Sequence, residues 1–505
     1  MTQDRANGRA QYEELRRQHP VFYYRSVQTE ETEAGLHITY CFEIPGLATF
    51  RPEWTFPLKT EAARQEIARL RPGQKQERQE KLGKLEGLIF SLGLVELISY
   101  WKTCCPPKVV IEAGCLTPEQ QQWWKEQYYY GLGEFFYTNG IPLDPEGFMS
   151  LENGGAEESC IVRENTENNG SGGNSTNIEL QVEKKLDGYL IPVGGGKDSS
   201  VTMDLLQEYH DKSFCYMING RGATLESARA AGFCEDRMII AKRTLAPEML
   251  ELNRQGYLNG HTPFSAIVAF SSVLTAYLYG LRYVALSNEA SANESTVAGS
   301  TVNHQYSKSF KFEEDFTGYE QAYIGSGVSY FSLLRPWSEY QIAAYFSRLE
   351  QYHKVFRSCN VGSKQDIWCG HCPKCLFVYL ILSPFIRPEK LGEIFGRDML
   401  ADPKMLPLLE QLIGVTEEKP FECVGSRDEI NTAICEAIAK MTQEGYELPL
   451  LFRHYQDTEQ YRQYQERSRG EQNPYRHFYE EENLVPEHLQ ARLRQVDWSA
   501  MTWKH

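Results

Sequence analysis

The segment Ile191-Pro-Val-Gly-Gly-Gly-Lys-Asp-Ser-Ser200 restricts the possible folds of this chain more than any other. Tyr189–Val193 is a short apolar run of strand type, and Val201, Leu205, Leu206 and Tyr209 line one side of a helix that follows. Gly194, Gly195 and Gly196 between them let the backbone turn sharply and approach a ligand with no Cβ in the way. A helix starting at Asp198–Ser199 aims its free N–H groups and the positive end of its dipole at that ligand, which suits a phosphate. Lys197 adds a point charge, Asp198 a carboxylate able to organise Mg2+, and Ser199 and Ser200 hydroxyl donors. The segment has neither the Gly-x4-Gly-Lys-Ser/Thr spacing of a Walker loop nor G-x-G-x-x-G, because Ser199 stands in place of the third glycine. An ordinary glycine-rich βα turn is the plain alternative. Against it, strand, glycines, Asp-Ser and amphipathic helix occur in order.

The pattern around this loop alternates strand and helix. Phe214–Ile218, Met238–Ala241 and Tyr283–Ser287 have strand character, while Leu225–Ala231 and Phe264–Tyr279 have helical character. This order predicts a parallel sheet covered by helices on both faces, with ligands bound beyond the carboxyl ends of the strands. The loops Gly194–Ser199, Asn219–Gly222 and Asn288–Glu294 then share one rim.

At 505 residues the chain is too long for one core, and its 41% hydrophobic content supports packed domains. Residues 1–151 are expected to form an N-terminal α+β domain. Val21–Gln28 and His37–Ile44 suggest a hairpin, Lys81–Trp101 a helix, and the aromatic run from Trp123 to Tyr137 a packed core. Residues 152–185 contain a Gly/Asn/Ser tract and are expected to be a flexible linker or insertion. The phosphate-loop domain follows over 186–386, and a mainly helical region over 387–505.

A net charge of −16 gives an average field that repels phosphate backbones, which argues against a nucleic-acid partner. The longest apolar stretch, Phe264–Leu286, contains serines, a threonine and Arg282, so it suggests a buried helix and strand rather than a membrane span. No secretory leader is visible in Met1–Glu14, and the 13 cysteines are expected as reduced thiols in a cytoplasmic protein. Four of them, Cys359, Cys369, Cys372 and Cys375, fall within 17 residues and can supply a tetrahedral thiolate site for a structural zinc. A metal-free thiol cluster is the alternative.

Two polar segments are expected to carry specificity: Ser287-Asn-Glu-Ala-Ser-Ala-Asn-Glu294 and Asn303-His-Gln-Tyr-Ser-Lys-Ser309. The phosphate loop itself resembles the Ser-Gly-Gly-x-Asp-Ser loop of the ATP pyrophosphatase (PP-loop) superfamily, with Gly194 where that superfamily usually has serine. Taken together, Gly194–Ser199, Ser287–Glu294, Asn303–Ser309 and Trp368–Phe377 resemble the ATP-dependent UDP-N-acetyl-muramoyl-L-alanyl-L-glutamate epimerases; Gly93–Trp101 and Ile111–Gly114 are also similar. The resemblance implies a parallel-sheet, HUP-like nucleotide-binding domain. It also implies inversion of the terminal L-glutamate of a UDP-muramoyl dipeptide, for peptidoglycan precursor synthesis, as ATP goes to AMP and diphosphate with Mg2+. Gly194, Gly195, Gly196, Lys197, Asp198, Ser199 and Ser200 are then the ATP-binding residues. Asn288, Glu289, Asn293, Asn303 and Tyr306 are candidates for binding the small-molecule substrate. Lys308, His304 and Glu294 are candidates for moving the proton, since each can exchange one when its pKa is tuned. The cysteine cluster is also similar to that of the 7-cyano-7-deazaguanine synthases, which form nitriles, and a ligase of that type is the second functional reading. The long N-terminal domain argues against it.

Overall fold

The structure is a computed structural model that describes residues 2–68, 83–142, 144–155, 186–293, 303–468, 470–498 and 503. In chain order its strands are β1 (Val21–Thr32), β2 (Gly35–Ile44), β3 (Ala48–Phe50), β4 (Glu53–Phe56), β5 (Lys108–Ile111), β6 (Ser150–Asn153), β7 (Tyr189–Pro192), β8 (Ser213–Ile218), β9 (Met238–Thr244), β10 (Tyr283–Leu286) and β11 (Ser329–Ser332). All belong to one mixed, mostly parallel sheet of order β11-β10-β7-β8-β9-β4-β2-β1-β5-β6, with β3 added to β2.

The strands β11, β10, β7, β8 and β9 are mutually parallel. From β7 the chain winds one way through β8 and β9, then crosses back to β10 and β11 on the other side. The direction of winding reverses beside β7, and this is the position at which open α/β sheets bind ligands. The glycine loop leaves β7 there.

Alternation along these strands divides the core in two. Leu190, Tyr216, Ile239, Val284 and Tyr330 face a core built with the apolar helices Lys84–Trp101 and Phe264–Tyr279. Ile191, Cys215, Met217, Ala285 and Phe331 face the opposite core, against Lys197–Leu205, Glu339–Phe346, Pro373–Leu382 and Arg427–Gln443. Both cores are needed because a parallel sheet is buried on both faces.

The expected hairpin is present: β1 and β2 pair antiparallel from Tyr23↔Glu43 to Thr32↔Gly35. The apolar run at 264–286 is the expected helix, Phe264–Tyr279, followed by β10, and residues 388–494 carry the expected helices. Among the described residues no helix is long and apolar enough to cross a membrane. Glu152 and Asn153, placed by the sequence in a linker, belong to β6, which pairs parallel with β5; residues 156–185 lie outside the described residues. Cys115 is disulfide-bonded, which corrects the expectation that all the thiols are reduced.

The two halves share more than a border. β4 pairs antiparallel with β9 through Glu53↔Thr244, Trp54↔Arg243 and Thr55↔Lys242. Arg243 also forms a buried ion pair with Glu96 of the Lys84–Trp101 helix at 2.7 Å. The outer edge of β9 is thereby covered, and an exposed parallel-sheet edge is avoided.

Candidate functional site at the carboxyl rim of the sheet

The glycine loop follows β7 and enters the helix Lys197–Leu205, whose N-cap is Gly196 with no side-chain cap. Its first N–H groups are left to an anion. Gly195 adopts φ +79°, and a Cβ there would lie 2.8 Å from backbone atoms of Ala223 and Thr224, so only glycine fits. At Gly194 a Cβ would meet nothing within 4 Å. The loop is braced from outside by Arg357, whose N–H donates to the Gly195 carbonyl at 2.7 Å. Ser199 and Ser200 turn their hydroxyls back to the Gly196 carbonyl at 3.2 and 3.0 Å.

Lys197 does not project into the rim. It is 1% exposed, and its Nζ is shared between Asp198 and Glu339, from the helix Glu339–Phe346. Burial opposes its charge, but the two carboxylates outweigh burial and raise its pKa. Burial raises the Glu339 carboxyl against the pull of Lys197. Asp198 is likewise opposed by burial, yet Lys197, Lys374 and Lys308 together hold it ionised. Its side chain remains 26% exposed, so it is the loop carboxylate accessible from the rim.

A second group of titratable side chains, Lys308, His304, His261, Cys423 and Glu134, is linked to the loop through Lys308, which interacts with Asp198. Lys308 lies on the 3-10 turn Tyr306–Lys308, and its Nζ donates to Sγ of Cys423 at 3.3 Å. His304 hydrogen-bonds the same thiol, and its Nδ1 meets Oε2 of Glu134. His261 reaches that same carboxylate oxygen at 3.3 Å. Burial would raise the Cys423 thiol, but Lys308, His304 and Lys374 bring it down to about 6. Burial opposes the His304 charge, yet Cys423 and Glu134 raise it to about 9. His261 is pushed down to about 4 by burial and by the neighbouring His304. Lys308 is raised, against burial, chiefly by Cys423 and Glu289, with Asp198 adding to them. Glycine loop and thiol cluster therefore sit within electrostatic reach of each other.

The remaining sequence candidates are engaged in holding the rim. Asn288 donates to Ser332 Oγ at 3.0 Å, Asn293 accepts from the Phe310 N–H at 2.8 Å, and Asn303 donates to the Ala292 carbonyl at 3.0 Å. Tyr306 is buried and donates to Gln127 at 3.2 Å. Glu289 is buried beside Lys308. Glu294 lies outside the described residues. Arg335, fully buried, donates to the Glu289 and Lys308 carbonyls and to Glu313, tying both polar segments together. Cys423 carries no spacing motif in Phe421-Glu-Cys-Val-Gly425, and Glu134 stands in a run that is otherwise aromatic core. The sequence offered no sign that either belongs to the rim.

The four cysteines come together as a compact group. Cys359 and Cys372 lie 3.8 Å apart and Cys369 and Cys375 3.7 Å apart, all four sulfurs within 4.8 Å. Zn–S bonds of about 2.3 Å in a tetrahedron require S···S edges of about 3.8 Å. Backbone N–H groups of Gly362, Cys369 and Cys375 point at Cys359 and Cys372 sulfurs, which favours thiolates. The group is thus a possible metal site fitted to zinc. It also anchors the rim: Lys374, between Cys372 and Cys375, donates its N–H to Glu422 and its Nζ to the Cys423 carbonyl.

Fold and site together define an α/β protein with an uncapped, glycine-led helix start beyond its central strand, a cluster of titratable groups in electrostatic contact with it, and a four-cysteine knuckle. Residues 13–333 match the family model for the MurL N-terminal domain, and residues 355–468 that for the MurL C-terminal domain. The chain belongs to the MurL family. It is 34% identical over 351 residues to the UDP-N-acetyl-alpha-D-muramoyl-L-alanyl-L-glutamate epimerase of Xanthomonas oryzae pv. oryzae, covering 68% of this chain and 72% of that one. It is 34% identical over 363 residues to the protein of the same name from Salinispora tropica, covering 70% and 74%. No solved structure matches the chain.

Proposed function

We propose that this protein inverts the terminal L-glutamate of UDP-N-acetylmuramoyl-L-alanyl-L-glutamate to D-glutamate, with cleavage of ATP to AMP and diphosphate. Family membership and the name carried by its relatives support the epimerisation. The observation that supports coupling to ATP is an uncapped, glycine-led helix start whose Asp198 interacts electrostatically with Lys308, the lysine that donates to Cys423. A free glutamate carboxylate makes its α-proton hard to remove, because the product would carry two negative charges. Adenylation converts the carboxylate to a mixed anhydride, and the α-carbanion then delocalises as an enolate.

In this reading Gly194–Gly196 and the N–H groups that follow receive the phosphates, and Asp198 would hold a magnesium ion, whose charge would stabilise a diphosphate leaving group. Lys308 and His304, both held protonated, offer positive charge and an acid to the enolate. Water then releases AMP. The zinc knuckle is structural and takes no part in the reaction. The cysteine cluster alone would also suit a nitrile-forming ligase of the deazaguanine synthase type, but the family relationship favours the epimerase.

The test is one incubation in D2O with Mg2+ and the dipeptide substrate, with and without ATP. Deuterium is expected at the glutamate α-carbon only with ATP, with D-glutamate and AMP rising together. Exchange without ATP overturns the adenylation step, and a nitrile or amide product moves the protein to the second reading. Asp198→Asn is expected to abolish AMP formation.

A further inference from the structure

An inversion at carbon needs a base on one face and an acid on the other. Lys308 and His304 are both held protonated, so neither is the base. Cys423 lies between them: its sulfur accepts from Lys308 Nζ at 3.3 Å and bonds His304, which is oriented in turn by Glu134. It is partly exposed rather than sealed in the core, unlike Cys41, Cys104, Cys105, Cys215 and Cys435. It is also not one of the four clustered thiols. The arrangement of nucleophile, imidazole and orienting carboxylate is the one that activates a sulfur.

We propose that Cys423 is one of the two acid–base groups of the inversion, exchanging the α-proton of the activated glutamate while Lys308 and His304 position its thiolate. This rests on the epimerase reading given above. On the Cys423 face the sulfur takes the α-proton: the C–H bond breaks, an S–H bond forms, and the electron pair moves onto the acyl oxygen as an enolate. On the opposite face a second group returns a proton to the carbon. In the reverse direction the Cys423 thiol is the donor. No oxidant or reductant is involved. The positive surroundings draw the thiol well below its usual range, so the base form is present at neutral pH.

The experiment compares Cys423→Ser with wild type in two assays: exchange of pyrophosphate into ATP dependent on the UDP-muramoyl dipeptide, and D-glutamate formation with α-deuterium content in D2O. Serine keeps the size of the side chain but not its acidity. The expected result is a fall in inversion of about 100-fold or more, the scale of a positioned acid–base group, with pyrophosphate exchange within about threefold of wild type. Label washed into recovered L-substrate without D-product assigns Cys423 to the returning face, and no label in either epimer assigns it to the abstracting face. Inversion within about threefold of wild type overturns the proposal. So does a parallel loss of pyrophosphate exchange, which would make Cys423 a support of the ATP site. Wild-type protein that forms no D-glutamate overturns the epimerase reading itself, an outcome separate from any effect of the substitution.

Discussion

At the scale of single residues, Lys197 shows how burial changes the meaning of a motif. The sequence suggests a lysine reaching for phosphate, on a rim where it supports nothing. The structure places its Nζ between Asp198 and Glu339 at 1% exposure. Removing one partner of a buried ion pair leaves the other charge unpaired at a cost of about 3–5 kcal/mol. Lys197→Ala is therefore expected to lower stability by that order in chemical denaturation, and not only to impair ATP use. A loss under about 1 kcal/mol would mean that Glu339 is accommodated as the neutral acid. The thiol cluster makes a second residue-scale prediction. Cys423 gains its charge above about 6, and His304 loses its own above about 9. The charged and titratable groups facing the pair are Lys308, Lys374, Glu134, Glu422 and a neutral His261. Inversion should fall as pH drops through about 6 and again as it rises through about 9. A kcat/KM profile flat between pH 5 and 7 would exclude a Cys423 thiolate from the free enzyme's active form.

At the scale of elements, the cysteine knuckle is the part whose sequence pattern maps most directly to geometry. Two C-x-x-C steps bring three sulfurs to one point because the helix Pro373–Leu382 begins between them, and Cys359 closes the tetrahedron from the preceding loop. About one zinc per chain is expected by elemental analysis. Its removal by a strong chelator should lower the melting temperature and also reduce activity, because Lys374 fixes Glu422 and Cys423 from within the knuckle. Protein purified without any transition metal, yet fully stable, would remove the zinc assignment. The strands Tyr189–Pro192 and Tyr283–Leu286 and the helix Phe264–Tyr279 were legible as apolar runs. The strands β3 to β6 and β11 are each three or four residues long, too short for a period of two to register against loop sequence.

At the scale of the whole molecule, the N-terminal half is joined to the half that carries the glycine loop by strand pairing and by chemistry. β4 completes the sheet beside β9, Arg243 is neutralised by Glu96, and Glu134 orients His304. Residues 186–505 produced alone would expose the edge of β9 and leave Arg243 without its buried partner. That fragment is expected to be insoluble or aggregated in size-exclusion chromatography, and co-production with residues 1–155 should recover it. A monodisperse, folded 186–505 fragment would show instead that the halves are independent domains.

The sequence by itself determined the α/β class, the glycine loop at Gly194–Gly196, the four-cysteine cluster and the family. Each is written in contiguous residues: a strand, three glycines and a helix start, or cysteines at fixed short spacing. Only the tertiary structure decided which polar residues face the rim. Asn288 is spent on the Ser332 hydroxyl, and Asn293 and Asn303 on the backbone groups of Phe310 and Ala292, while Cys423 and Glu134, far apart in the chain, meet at His304. Short-range pattern reports how a segment folds. The charge state of a thiol depends on the cations that folding brings beside it, and here those come from segments that no local spacing connects.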